Sequence, residues 1–226
     1  MADKLKSFFM KTPYDYRAQA REVLQNRWGD AAIAAAVIFV LTSICSLPSL
    51  SNSWLGHIGT LLTLLLIPVS YSFSISLLKA TRQDEEKLLE GTLSTAKKMY
   101  SNLFVAGLLS TLIISVLSVL TLGIAGVIFA YAYRMVPYLM HDYPELTPRE
   151  ALKVSREMMK GHKWDLFVLD ITFIGWILLS ILTLGIGMLF VTPYMQVASA
   201  LFYEDLRAKT IVEEEKVEAP EVTPEA

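Results

Sequence analysis

The residues that carry chemistry are scarce in this sequence: of 226 residues, one is cysteine and three are histidine. The lone Cys45 excludes an internal disulfide and a multi-cysteine metal site, and its apolar surroundings make it a small buried hydrophobe. His57, His141 and His162 have no zinc-ligand spacing, and neither G-x-S-x-G nor a phosphate-binding glycine loop occurs. The sequence therefore predicts a protein that is not an enzyme and holds no cofactor and no metal. Lys and Arg are dispersed rather than gathered on one soluble segment, which argues against nucleic acid as a partner.

What is abundant is apolar. Hydrophobic residues make up 54% of the chain and mean hydropathy is +0.45, more than one soluble core can hide. A crossing helix needs about 20 mostly apolar residues. Ala31 to Leu47 and Ile58 to Leu78 each read as one span. Leu103 to Tyr133 and Ile171 to Tyr203 contain no Lys, Arg, Asp or Glu and are too long for one crossing each. Both carry Leu-Thr-Leu-Gly-Ile near the middle, at 120–124 and 182–186, where glycine permits a tight reversal. The expected fold class is an all-α membrane protein of six transmembrane helices, at about 31–47, 58–78, 103–120, 123–140, 166–182 and 185–203. Residues 13–207 form that domain, 1–12 a flexible N-terminus and 208–226 a disordered acidic tail.

Charge placement agrees with six crossings. Basic residues precede the first span, lie between the second and third, follow the fourth (Arg149, Lys153, Arg156, Lys160, Lys163) and follow the sixth, whereas the other three connections have none. By the positive-inside tendency, both termini are cytoplasmic and the protein sits in a cell membrane. No leader-like run is expected to be removed, because about thirty mostly polar residues precede the first apolar segment.

The chain also reads as three parallel hairpins, each preceded by a polar amphipathic helix. Thr12-Pro13-Tyr14-Asp15 and Thr147-Pro148-Arg149-Glu150 both look like helix N-termini, the second with a capping box. Ala151, Val154, Met158 and Met159 fall on one face of the helix after Thr147, with basic residues on the rest, a pattern suited to an anionic leaflet. Pro68, Pro137 and Pro193 recur in the returning spans and are candidate kinks. Trp28 and Trp164 are candidate interfacial anchors. Arg134 and Asp170 are the charges that intrude into apolar spans. Counted inward along neighbouring helices they reach similar depth, so they are expected to form an intramembrane ion pair.

Ser155 to Trp164, Phe173-Ile174-Gly175-Trp176, Leu184-Gly185-Ile186-Gly187, Pro193-Tyr194 and Phe202-Tyr203-Glu204-Asp205-Leu206 resemble an uncharacterised bacterial membrane family, domain of unknown function 975. Asn26-Arg27-Trp28-Gly29 resembles its start, which would extend the likeness from Tyr14 to Arg207. The resemblance implies a bacterial cytoplasmic membrane and supplies no activity or site residues. The favoured function is structural or interactive, with membrane lipid and a cytoplasmic or membrane protein as partners of the amphipathic helices. The alternative is a small-solute transporter or channel with proline-kinked spans, which would show a cavity lined by Arg134, Asp170 or the serines near Ser70 to Ser76.

Overall fold

The structure is a computed structural model that describes residues 11–47, 54–84 and 86–218. The N-terminal ten residues, the connection expected around Pro48 to Trp54 and the last eight residues of the expected tail lie outside the described positions, save for the start of the helix at Trp54.

Every regular element among the described residues is an α-helix. Helix α1 is Pro13–Leu24, α2 Trp28–Ser46, α3 Trp54–Leu65, α4 Ile67–Thr81 and α5 Leu88–Leu120. Helices α6 (Ile124–Ala132) and α7 (Val136–Asp142) lead to α8 (Pro148–Met158), α9 (Lys163–Ile171), α10 (Ile174–Leu182) and α11 (Met188–Glu218). Among the described residues, four helical stretches are long and apolar enough to cross a membrane: Trp28–Ser46, His57–Thr81, Leu88–Leu120 and Lys163–Leu182. The return segments are built differently. The α6–α7 return is broken at Tyr133 to Met135, and α11 runs on from apolar residues into a charged end. It continues to Glu218, past Arg207, where the folded domain was expected to end; the Glu and Lys of that stretch are good helix formers.

Helix starts follow local chemistry. Thr12 and Thr147 each accept a hydrogen bond from the backbone N–H three residues on, while Asp15 and Glu150 reach back to the cap backbone. Both are therefore capping boxes, the first with the shorter acid in the place expected of Glu. Within α5 the backbone leaves helical geometry at Met99 (φ −117°, ψ 19°), dividing a polar first section from the apolar section that follows.

The two Leu-Thr-Leu-Gly-Ile segments adopt one backbone path. Leu122 and Gly123 have φ of 52° and 94°, and Leu184 and Gly185 have 54° and 87°. Gly123 N–H donates to the Ser118 carbonyl at 2.7 Å and Gly185 N–H to the Ser180 carbonyl at 2.9 Å. The threonine hydroxyls accept from Ala125 N–H (2.9 Å) and Gly187 N–H (3.0 Å). A Cβ on Gly126 would lie 1.7 Å from Ser118 Oγ, and one on Gly187 2.6 Å from Ser180 Oγ, so each return helix runs against its predecessor. At the tips Leu122 is 96% and Leu184 95% exposed.

Among the described residues, two apolar clusters hold the helices together. The larger joins Tyr16 and Leu24 of α1 to Leu77 of α4, Leu166 of α9 and Phe202 of α11. The smaller joins Ile75 of α4, Leu103 and Ala106 of α5, Val136 of α7, and Ala151 and Leu152 of α8. The apolar side of α8 is thus buried in protein rather than turned to a leaflet: Ala151 and Met159 are fully covered, while Arg149, Lys153 and Arg156 stay at the surface. Ala151, Val154, Met158 and Met159 all pack against these clusters. Ser155 fixes the docking, its hydroxyl donating to the Ala132 carbonyl at 2.7 Å, where α6 ends and its carbonyls lack helical partners.

Candidate functional site at the charged end

Side chains from separate helices converge on Asp142, the last residue of α7. Its carboxylate takes two hydrogen bonds of 2.7 Å from Arg82, which follows α4, and one of 2.9 Å from the Tyr203 hydroxyl of α11. His141 Nδ1 lies at 3.0 Å and Arg207 Nη1 at 3.3 Å. Arg82 also donates through Nε to Glu204 at 2.6 Å. Burial by itself pushes the Asp142 carboxyl up, but hydrogen bonds from Arg82, His141 and Tyr203 outweigh it and hold the group well below the usual carboxylate range. A carboxylate whose side chain is only 4% exposed stays ionised because it is fully partnered.

Asp205 of α11 reaches the other way. It accepts from Lys11 at 2.9 Å and from the Tyr16 hydroxyl at 2.8 Å, pinning α1 across the bundle end. Tyr194 adds a bond of 3.0 Å to the Arg17 carbonyl, and Arg27 donates to the backbone carbonyls of Asp84 and Glu86. Thus Tyr203, Glu204 and Asp205, adjacent in sequence, tie α11 to α7, to the α4 end and to α1. Arg82, Asp142 and Arg207 were not expected from sequence, since no local pattern joins positions so far apart. The string Phe202 to Leu206 was the one available signal.

The expected ion pair between Arg134 and Asp170 is not what forms. Asp170 accepts from the Tyr131 hydroxyl at 3.0 Å, and Arg134 Nη2 donates to Ser199 Oγ at 3.4 Å. The physical reason is the break at Tyr133 to Met135: depth counting assumed an unbroken helix, whereas the break turns Arg134 toward α11 and leaves Tyr131, on α6, to meet Asp170. The prolines also divide. Pro68 and Pro137 occupy first-turn positions of α4 and α7, just after breaks, where a missing N–H loses nothing; only Pro193 lies inside its helix. Trp164 is 69% exposed, whereas Trp28 packs against Phe190 and Tyr194 at centroid distances of 6.4 and 5.9 Å. No group of His, Cys, Asp or Glu among the described residues could hold a metal ion.

A cleft of about 240 Å³ opens between α2, α4 and α11, backed by Thr42, Ser70, Thr192 and Gln196. Arg134 and Asp170 do not line it. Ser74 donates to Gln196 beside it.

These features define a helical protein with membrane-length apolar helices on one side and a charged clasp on the other. Residues 108–210 match the family model described as Protein of unknown function (DUF975), a stretch that runs from the apolar end of α5 through α6 to α10 and into the clasp segment of α11. The likeness expected back to Tyr14 is not part of that match. Neither curated proteins nor solved structures give a match to the chain.

Proposed function

We propose that the chain is a multi-pass membrane protein of structural or interaction type, crossing six times as three hairpins from the cytoplasmic side of a bacterial membrane. It engages lipid or a protein partner through the polar faces of α1 and α8. The observation that carries this reading is the segregation of charge. The ion pairs of Asp142, Glu204 and Asp205 gather at the bundle end, while both hairpin tips are uncharged and tipped by exposed leucine. Most backbone N–H groups at the tips are bonded internally, Thr121, Gly123 and Ile124 in one and Thr183, Leu184, Gly185 and Ile186 in the other, which lowers the cost of a low-dielectric surrounding. With its apolar side buried against α5 and α7, α8 has only its basic face left to offer. No catalytic role is proposed.

The test is labelling of single cysteines at Thr121, Thr183 and Thr147 in a Cys45→Ser background, with an impermeant maleimide on intact cells. Six crossings require labelling at Thr121 and Thr183 but not at Thr147. Labelling at Thr147 alone would overturn the topology, and labelling at none of the three would mean tips that stop inside the bilayer.

A transporter is the second reading, favoured by the cleft beside Ser70 and Gln196. At about 240 Å³ the cleft lies below the roughly 300 to 1,000 Å³ of usual small-molecule sites. Protection of a Ser70→Cys variant from a small polar thiol reagent would argue against a water-filled path, and rapid reaction would favour one.

A further inference from the structure

A second concave site, of about 470 Å³, lies between α5 and α8. Leu109 and Ile113 line it from the apolar section of α5, and Arg149, Lys153 and Arg156 of α8 give it a basic rim, with Leu152 and Tyr133 completing the lining. None of these three cations takes part in any ion pair found among the described residues, in contrast to Arg82 and Arg207. The acids nearest in sequence do not compensate them: Glu150 is engaged in the α8 cap, and Glu157 is not part of the lining. Three uncompensated cations in one concavity favour an anion. The apolar wall runs on without interruption along α5 into exposed Leu112 and Val116, which favours a ligand with a hydrocarbon tail.

We infer that this site binds an anionic phospholipid, with the phosphate and headgroup between Arg149, Lys153 and Arg156 and one acyl chain laid along Leu109, Ile113 and Val116. Arginine and lysine on a rim at the foot of an apolar helix form the arrangement that recognises acidic lipid heads between membrane helices. An acidic peptide would leave the α5 wall uncovered, and free phosphate would use the rim alone. A lipid site presupposes a membrane protein, as proposed above. The binding test uses purified protein in detergent, where the number of crossings plays no part, so it can fail while the topology stands, and the reverse.

Native mass spectrometry of the full chain with added phosphatidylglycerol or phosphatidylcholine reads the preference directly. Wild type should retain phosphatidylglycerol preferentially. Neutralising Arg149, Lys153 and Arg156 together to Gln should lower that preference about a hundredfold, and each alone about fivefold. A charge-matched variant with Lys97, Lys98 and Lys160 changed to Gln should keep it, and both triple variants should melt like wild type because these side chains lie at the surface. Equal retention of the two lipids, or equal losses in the two triple variants, would overturn the site. Full competition by water-soluble glycerophosphate at concentrations equal to the lipid would overturn it in favour of a phosphate site without a tail.

Discussion

Replacing Asp142 by alanine tests the clasp most directly. The substitution removes two bonds of 2.7 Å from Arg82, one of 2.9 Å from Tyr203 and the contacts of His141 and Arg207. Tyr203 is fully buried, so its hydroxyl would be left without an acceptor. Removing one member of a buried charge pair costs about 3 to 5 kcal/mol. Arg82 is 32% exposed and keeps Glu204, which places the expected loss at the low end, about 3 kcal/mol. For a chain of this size that lowers the melting temperature by about 6 to 12 °C. Glu204→Ala removes a pair with both members about a third exposed and should cost no more than about 1 kcal/mol. Thermal unfolding in one detergent, followed by far-ultraviolet circular dichroism, gives both numbers. The double-mutant cycle of Asp142→Asn with Arg82→Gln should show a coupling of about 0.5 to 3 kcal/mol. A melting temperature for Asp142→Ala within about 2 °C of wild type, below the scale set by a single kcal/mol, would refute the clasp. Equal losses for Asp142→Ala and Glu204→Ala would do the same.

Because the Asp142 carboxyl is held down in the folded state, its contribution is fully present above the ordinary aspartate value of about 3.9 and is lost as pH falls below it. Wild type should therefore lose stability more steeply than Asp142→Asn below about pH 4, with the clasp intact at pH 5, measured by melting across that range. Gly185→Ala should destabilise by about 1 to 2 kcal/mol, because φ there is +87° and nothing else crowds a Cβ. Gly175→Ala, in a helix with open space, should stabilise by up to about 1 kcal/mol. The two melts should thus move in opposite directions. Gly107→Ala would set a Cβ 2.2 Å from Ile67 Cγ2 and should cost about 1 to 3 kcal/mol, relieved by Ile67→Leu, which lacks that branch. Ser155→Ala should lower stability by about 1 kcal/mol through loss of the bond to Ala132.

Features written in contiguous residues are legible in the amino-acid order itself. The threonine-started helices, the two Leu-Thr-Leu-Gly-Ile reversals and the change from polar to apolar along α5 all depend on neighbours in sequence. What depends on three-dimensional convergence is not legible there. Asp142 meets Arg82, 60 residues away, and Tyr203, 61 away, with nothing in either neighbourhood to announce it. The Arg134 and Asp170 expectation failed for a related reason. Depth along a helix can be counted from sequence, but azimuth cannot be carried across a break like that at Tyr133 to Met135. The buried side of α8 shows the same limit, since a 3.6-residue period reports a face and is silent about what covers it.

The leucine-tipped turns bear on how the protein is assembled. A Lys or Arg at mid-membrane costs about 2.5 to 3.5 kcal/mol on insertion scales, so a connection carrying two of them opposes its own passage by several kcal/mol. The turns at 120–124 and 182–186 carry none, and most of their amides are bonded within the turn, those of Gly123 and Gly185 among them. If the chain crosses the membrane as proposed, each hairpin would enter the bilayer tip first, with no charged side chain in its turn to move across. On that proposed topology, insertion of these two hairpins would need little from the membrane potential, and charging one tip, as in Leu122→Lys, would oppose it.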